Sequence, residues 1–153
     1  AGQVVIAAPT RIGTLALNTL FTLTMWSNFD LRPAAHLLGA ADAEGRAIGY
    51  VGNYEGQFHF EGRLSRPIER LSEGESIQAF ARLHPNGLII TRPEKLADSD
   101  LRYPLLVQPF RSSWVVIWPA ASLAAQRAGH TPAEPPHPTR LYQIDPWRYR
   151  ALQ

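Results

Sequence analysis

Residues Gly45 to Pro67 constrain this chain more than any other part of it, because three local preferences follow one another there without a gap. Ala47-Ile48-Gly49-Tyr50-Val51 is short, apolar and rich in strand-forming residues, the pattern of a buried β-strand. Gly52-Asn53-Tyr54-Glu55-Gly56 is turn chemistry, since Gly and Asn accept the positive φ that other residues resist. Gln57 to Leu64 then sets Phe58, Phe60 and Leu64 among polar residues. Tyr54, Phe58 and Gly62 fall at i, i+4 and i+8, which suits one face of a short helix, whereas Phe58 and Phe60 at i, i+2 suit a strand. The restart at Arg66-Pro67 favours the helix, because the residue before proline is driven to extended backbone. The stretch therefore reads strand, glycine turn, short helix, strand. In an open α/β sheet the carboxyl edge of such a strand is where ligands sit.

The flanking sequence extends this pattern. Asp30 is expected as the N-cap of a helix with Pro33 in its first turn and Ala34, Leu37, Leu38 and Ala41 as its apolar face. Pro67 to Leu71 reads as a strand, Glu75 to Leu83 as an amphipathic helix, Pro85-Asn86-Gly87 as a turn and Leu88 to Thr91 as a buried strand. A single helical turn is expected over Glu94 to Asp98. Leu105 to Phe110 and Ser113 to Trp118 meet across Arg111-Ser112 as an antiparallel hairpin, and the second run is apolar at every position from Trp114 to Trp118, so both sheet faces should be covered. Ala120 to Arg127 reads as a helix stopped by Gly129. His130 to Thr139, with four prolines, reads as an extended surface segment. Tyr142 to Tyr149 is an aromatic tail. The fold class expected is α/β: one domain with a mixed sheet of about five strands and helices on both faces.

Two segments near the start carry less pattern. Val4 to Ala8 is a short strand-prone run. Gly13 to Trp26 is free of charge but shorter than the roughly 20 apolar residues a membrane span needs. It reads either as a core helix or strand pair, or, with the rest of residues 1–29, as the water-side continuation of a preceding membrane span. The chain begins Ala-Gly-Gln, which reads as a processed chain or a piece of a longer protein, and no signal-peptide pattern is present.

Composition narrows the functional classes. A chain of 153 residues with 45% hydrophobic residues is long and apolar enough for a proper core. The formal charge is only +2 and the arginines are scattered, so no nucleic-acid footprint is expected. Without cysteine there is no disulfide or thiolate chemistry. Gly49, Gly52 and Gly56 match neither the dinucleotide fingerprint nor the phosphate-loop pattern and read as a plain tight turn. The five histidines show no metal-ligand spacing, so no metal or cofactor is expected. Ser65, Ser112 and Ser113 lie in no nucleophile elbow. Glu55 and Glu61 could act as paired carboxylates or simply face solvent. Arg63 and Arg66 could hold a phosphate or carboxylate through paired N–H donors, or serve as a surface ion pair or helix cap. The site expected is one rim of the sheet formed by Tyr54, Glu55, Gln57, Arg63 and Arg66, with Phe58, Phe60 and Leu64 pointing inward as its anchor.

The pattern Asp30-Leu31-Arg32-Pro33-Ala34-Ala35, followed by Gly49-Tyr50-Val51-Gly52-Asn53-Tyr54-Glu55-Gly56-Gln57-Phe58-His59-Phe60-Glu61-Gly62-Arg63-Leu64, resembles a known segment. It is similar to the region after the last membrane span in bacterial glycosyltransferases of the dolichyl-phosphate-mannose-protein mannosyltransferase and aminoarabinose transferase superfamily. The similarity covers residues 30–70 by pattern and the remainder by architecture. It implies a C-terminal periplasmic α/β domain on the outer face of the bacterial inner membrane, belonging to an enzyme that moves a sugar from a polyprenyl-phosphate donor to lipid A, protein or another envelope acceptor. In that family the catalytic carboxylates lie in loops of the membrane domain, which this sequence lacks. The resemblance thus implies an accessory domain, inactive alone, whose partners are the membrane domain of the same polypeptide and, through it, the lipid-linked sugar or the acceptor. The residues by themselves leave two other readings: a free-standing binding module for an anionic sugar or phosphate, and a structural interaction domain.

Overall fold

The continuous apolar runs become the strands of one six-stranded mixed sheet in a computed structural model that describes residues 12–21, 29–135, 137 and 140–141. The strands are β1 (Ile48–Val51), β2 (Glu69–Leu71), β3 (Leu88–Thr91), β4 (Leu106–Phe110), β5 (Ser113–Pro119) and β6 (Arg140–Leu141), in the spatial order β2-β1-β3-β5-β4-β6. β1 pairs in parallel with both β2 and β3, β5 is antiparallel to β3 and β4, and β6 is parallel to β4. The expected hairpin is present, with Phe110 opposite Ser113 across the two-residue turn. Pro109 is tolerated in β4 because β6 reaches only Leu106 and Val107, leaving the far end of β4 an edge.

The helices are α1 (residues 12–21), α2 (Arg32–Ala43), α3 (Gln57–Gly62), α4 (Glu75–Leu83), α5 (Ser99–Arg102) and α6 (Ala120–Arg127). The α/β expectation with helices on both faces is met. Strand residues alternate between two cores: Ile48, Tyr50, Leu88, Ile90, Leu106, Val115 and Ile117 face α2 and α3, while Ile89, Val107, Val116 and Trp118 face α4 and α6. Their near-complete burial on both sides explains why the runs lack a polar alternation.

The order of connections positions the functional edge. From β1 the chain passes through α3 to β2 on one face. From β2 it returns through α4 across β1 to β3 on the other face, as the right-handed crossover rule requires. The carboxyl ends of β1, β2 and β3 share one edge, and the chain leaves β1 and β3 in opposite directions.

Several expectations are corrected. Asp30 is not the N-cap, a position held by Leu31. It sits one residue earlier, where its carboxylate accepts the Arg32 N–H at 3.0 Å and grips the Arg32 guanidinium through two bonds of 2.8 Å. Among the described residues, the helical turn expected over Glu94–Asp98 forms instead at Ser99–Arg102, with the Asp100 carboxylate accepting the Ala97 N–H at 2.7 Å. Residues 130–135 carry no regular structure, in line with the segment expected over His130 to Thr139, whereas Arg140–Leu141, just beyond it, adds a sixth strand that was not expected. Residues 12–21 form a helix, but not a core one: Ile12, Leu15, Leu17, Leu20 and Phe21 are 61–70% exposed. Val4–Ala8, residues 22–28 and the aromatic tail Tyr142–Tyr149 lie outside the described residues.

Candidate functional site

The glycine turn and α3 form the expected unit, but its side chains brace one another rather than open to a ligand. Gly56 adopts φ 85° to start α3, a conformation costly for any residue with a Cβ. Tyr54 is half-buried and stacks parallel to Phe58, with ring centroids 6.1 Å apart. Its hydroxyl lies 2.7 Å from His59 Nδ1 and accepts the Phe58 N–H at 3.1 Å. His59 Nε2 lies 3.2 Å from the Arg66 carbonyl. A carbonyl only accepts, so Nε2 carries the proton and Nδ1 accepts from Tyr54. Both ring nitrogens are thus engaged. Burial pushes the Tyr54 hydroxyl pKa up, opposed by the backbone N–H bonds it receives. Gln57 donates to the Tyr50 hydroxyl at 3.4 Å and accepts the Glu55 N–H at 3.1 Å, and Glu55 itself is exposed.

The five residues expected at one rim do not all meet there. Tyr54, Glu55 and Gln57 lie together after β1. Arg66 lies beyond α3, on the way back to the opposite edge, where its Nε donates to the Asp42 carboxylate at 2.9 Å and its Nη2 to the carbonyls of Asp42 and Arg46 at 2.6 and 3.1 Å. It ties down the last turn of α2, so its donors are spent on structure. Arg63 ends α3 in the left-handed conformation, φ 48°, with its side chain exposed. Phe60 corrects a second expectation: it is 87% exposed, while Phe58 is fully buried and Leu64 packs partly against the same core. Residues two apart on a helix are about 200° apart around its axis, so Phe58 and Phe60 cannot both face in.

Asp42 was not anticipated. Its carboxylate is 7% exposed and accepts the Ser65 N–H and hydroxyl, both at 2.7 Å, besides Arg66. These Ser65 bonds, then Arg66, hold its pKa below the usual carboxylate range. A lowered folded pKa stabilises the fold above the unfolded value of about 4 and loses that contribution as pH falls through the folded value. The melting temperature should therefore drop on acidification below about pH 4, and Asp42→Asn should flatten part of that slope. Asp30, lowered chiefly by the Arg32 hydrogen bond, contributes in the same direction. Equal slopes for wild type and Asp42→Asn would remove Asp42 from the account.

What remains open around the unit is a groove of about 840 Å³ between α2 and α3. Its floor is backbone against backbone: a Cβ on Gly39 would stand 2.6 Å from the Gly62 carbonyl oxygen. Arg32, His36, Phe60, Glu61 and Arg63 line it. This is a mixed surface with an exposed aromatic, suited to a protein or lipid neighbour. Arg63→Ala should shift the melting temperature by no more than about 2 °C, as for a surface position, and thermal denaturation checks this. A larger loss would make Arg63 structural. Among the described residues no group of three or more His, Cys, Asp or Glu could hold a metal ion.

Comparison with protein families, with curated proteins and with solved structures finds no match to this chain.

Proposed function

We propose that this chain is the extracytoplasmic accessory domain of a polyprenyl-phosphate-sugar-dependent glycosyltransferase of the bacterial cell envelope, non-catalytic by itself. The observation that carries the reading is α1: a charge-free helix ahead of the α/β body with Ile12, Leu15 and Leu17 all more than half exposed. Exposed apolar side chains grouped on one helix in this way suit a protein partner or a membrane. No described helix is long and apolar enough to cross a membrane, so on this reading α1 lies against the membrane domain of the same polypeptide or the bilayer surface. The resemblance over residues 30–70 supplies the chemistry of the assembly, and Phe60 and Arg63 on the α2–α3 groove supply a second contact surface.

The test pairs the isolated chain with the polypeptide containing its membrane domain, each incubated with a polyprenyl-phosphate sugar and an envelope acceptor. The longer protein should transfer sugar and the isolated chain should match a blank without protein. Turnover by the isolated chain, or a reading frame before Ala1 that encodes no multi-span membrane domain, would overturn the proposal.

A further inference from the structure

We propose that the crevice at the carboxyl ends of β1, β2 and β3 binds a small phosphate monoester through Arg92, Lys95 and Arg127. It stands on the crevice alone and does not require the glycosyltransferase reading.

The place follows from the topology. The chain leaves β1 towards β2 on one face and leaves β3 towards β4 on the other, since α3 packs on the first core and Leu96 and Tyr103 of the β3–β4 crossover pack on the second. The gap between β1 and β3 is therefore the point where the strand order reverses, and open α/β sheets hold ligands there. A crevice of about 380 Å³ occupies it, within the roughly 300–1,000 Å³ range of small-molecule sites. Val51 and Thr91 form its base, and the segment after β3, the β2–α4 turn and the end of α6 form its walls.

The chemistry follows from the lining. Three cations, Arg92, Lys95 and Arg127, face two carboxylates, Glu73 and Asp100. One carboxylate is already committed: Glu73 holds Arg127 at 3.2 Å and fixes that guanidinium at the wall. Lys95 is exposed and pairs with no carboxylate among the described residues. Arg92 is anchored at its far end, with Nη2 donating to Ser113 Oγ at 2.7 Å and the guanidinium 5.0 Å over the Phe110 ring, but its buried Nε–H has no partner. Gln126 likewise donates to Ser99 Oγ while its buried Oε1 is unpartnered. Buried polar groups are ordinarily satisfied, so an orphan donor and an orphan acceptor on two residues that line one crevice point to a polar partner near it. The lining holds one more cation than carboxylates, with Lys95 unpaired and the part of the Arg127 guanidinium beyond its two bonds to Glu73 left at the wall, which favours an oxyanion, and the unpaired Gln126 amide oxygen accepts from a hydroxyl on the group that carries it.

Calorimetric titration of the 153-residue chain with glucose 1-phosphate, with glucose as the uncharged control, tests the site. Sedimentation with vesicles carrying phosphatidic acid asks whether the same phosphate is taken from a lipid headgroup. Saturable binding in either arm should weaken about tenfold in Lys95→Ala and again in Arg127→Ala, the loss of one charge-assisted contact each. Both positions are exposed enough to leave the melting temperature within a few degrees of wild type. Binding weakened in this way in either arm supports the site and identifies its source. Binding in neither arm at millimolar phosphate, binding that both variants leave unchanged, or glucose binding as tightly as its phosphate overturns it. None of these results depends on sugar transfer, so the crevice and the glycosyltransferase reading fail separately.

Discussion

Phe58→Ala should cost about 3–5 kcal/mol of folding stability and lower the melting temperature by about 10 °C or more. Phe58 is fully buried on the inner face of α3, in the core shared with Leu38, Tyr50 and Ile68. α3 has only six residues, too few to persist as a helix by itself, so its place depends on this anchor. Truncation removes the ring's transfer free energy and opens a cavity that the sheet cannot collapse to fill. It also strips Tyr54 of its stacking partner, loosening the brace to His59. Phe60→Ala, two residues on and 87% exposed, should stay within about 0.5 kcal/mol. Chemical denaturation of the two variants side by side checks the orientation of α3. A Phe60→Ala loss as large as that of Phe58→Ala would mean the helix is turned the other way.

The second large effect is expected at Gln108, a polar residue with no exposed surface in the middle of β4. Its Oε1 accepts the Ala34 N–H at 3.0 Å, and its Nε2 donates to the Asp30 carbonyl at 2.8 Å. Ala34 is the third residue of α2, so its N–H is one of the four that no helix carbonyl can satisfy. A strand residue 74 positions away thus performs the cap that the helix's own first residues do not. Gln108→Leu keeps the volume but leaves a buried donor and a buried acceptor unpaired, at about 1–3 kcal/mol each. We expect a net loss of about 2–4 kcal/mol after the gain from burying the leucine. Gln108→Glu should be the harsher change at neutral pH, since a carboxylate accepts from Ala34 but repels the Asp30 carbonyl. It should recover part of the loss as acid restores a donor. A Gln108→Leu variant as stable as wild type would show that water takes over both bonds.

Arg66 shows how differently neighbouring residues could be read from sequence. It and Arg63 lie three positions apart with the same side chain, and nothing local distinguishes them. Asp42, 24 residues earlier, captures one of them and leaves the other at the groove. The crevice is a stronger case. Glu73, Arg92, Lys95, Asp100, Gln126 and Arg127 come from three separate connections, and none belongs to a recognisable motif. The one signal available was general: the carboxyl edge of β1 borders the crevice, whose walls come from the segment after β3, the β2–α4 turn and the end of α6 rather than from α3.

The sequence by itself determined most of the elements, though not α5 or β6. Short apolar runs bounded by turn residues suit strands covered on both faces, which placed β1, β3 and β5 to within a residue, and the hairpin spacing across Arg111-Ser112 placed β4 beside β5. The 3.6-residue period placed α4 and α6, and glycines with positive φ placed the turn before α3. These are preferences of the backbone within a few residues, and they survive folding because the tertiary structure agrees with them. Only the tertiary structure decided which side of α3 faces inward, which arginine is consumed by Asp42, how α2 is capped by Gln108 and which charges gather at the crevice. Each of these depends on which groups meet across the sheet. A hydrogen bond or ion pair between residues tens of positions apart leaves no periodicity in the chain, and it exists only once β1 has been enclosed between β2 and β3.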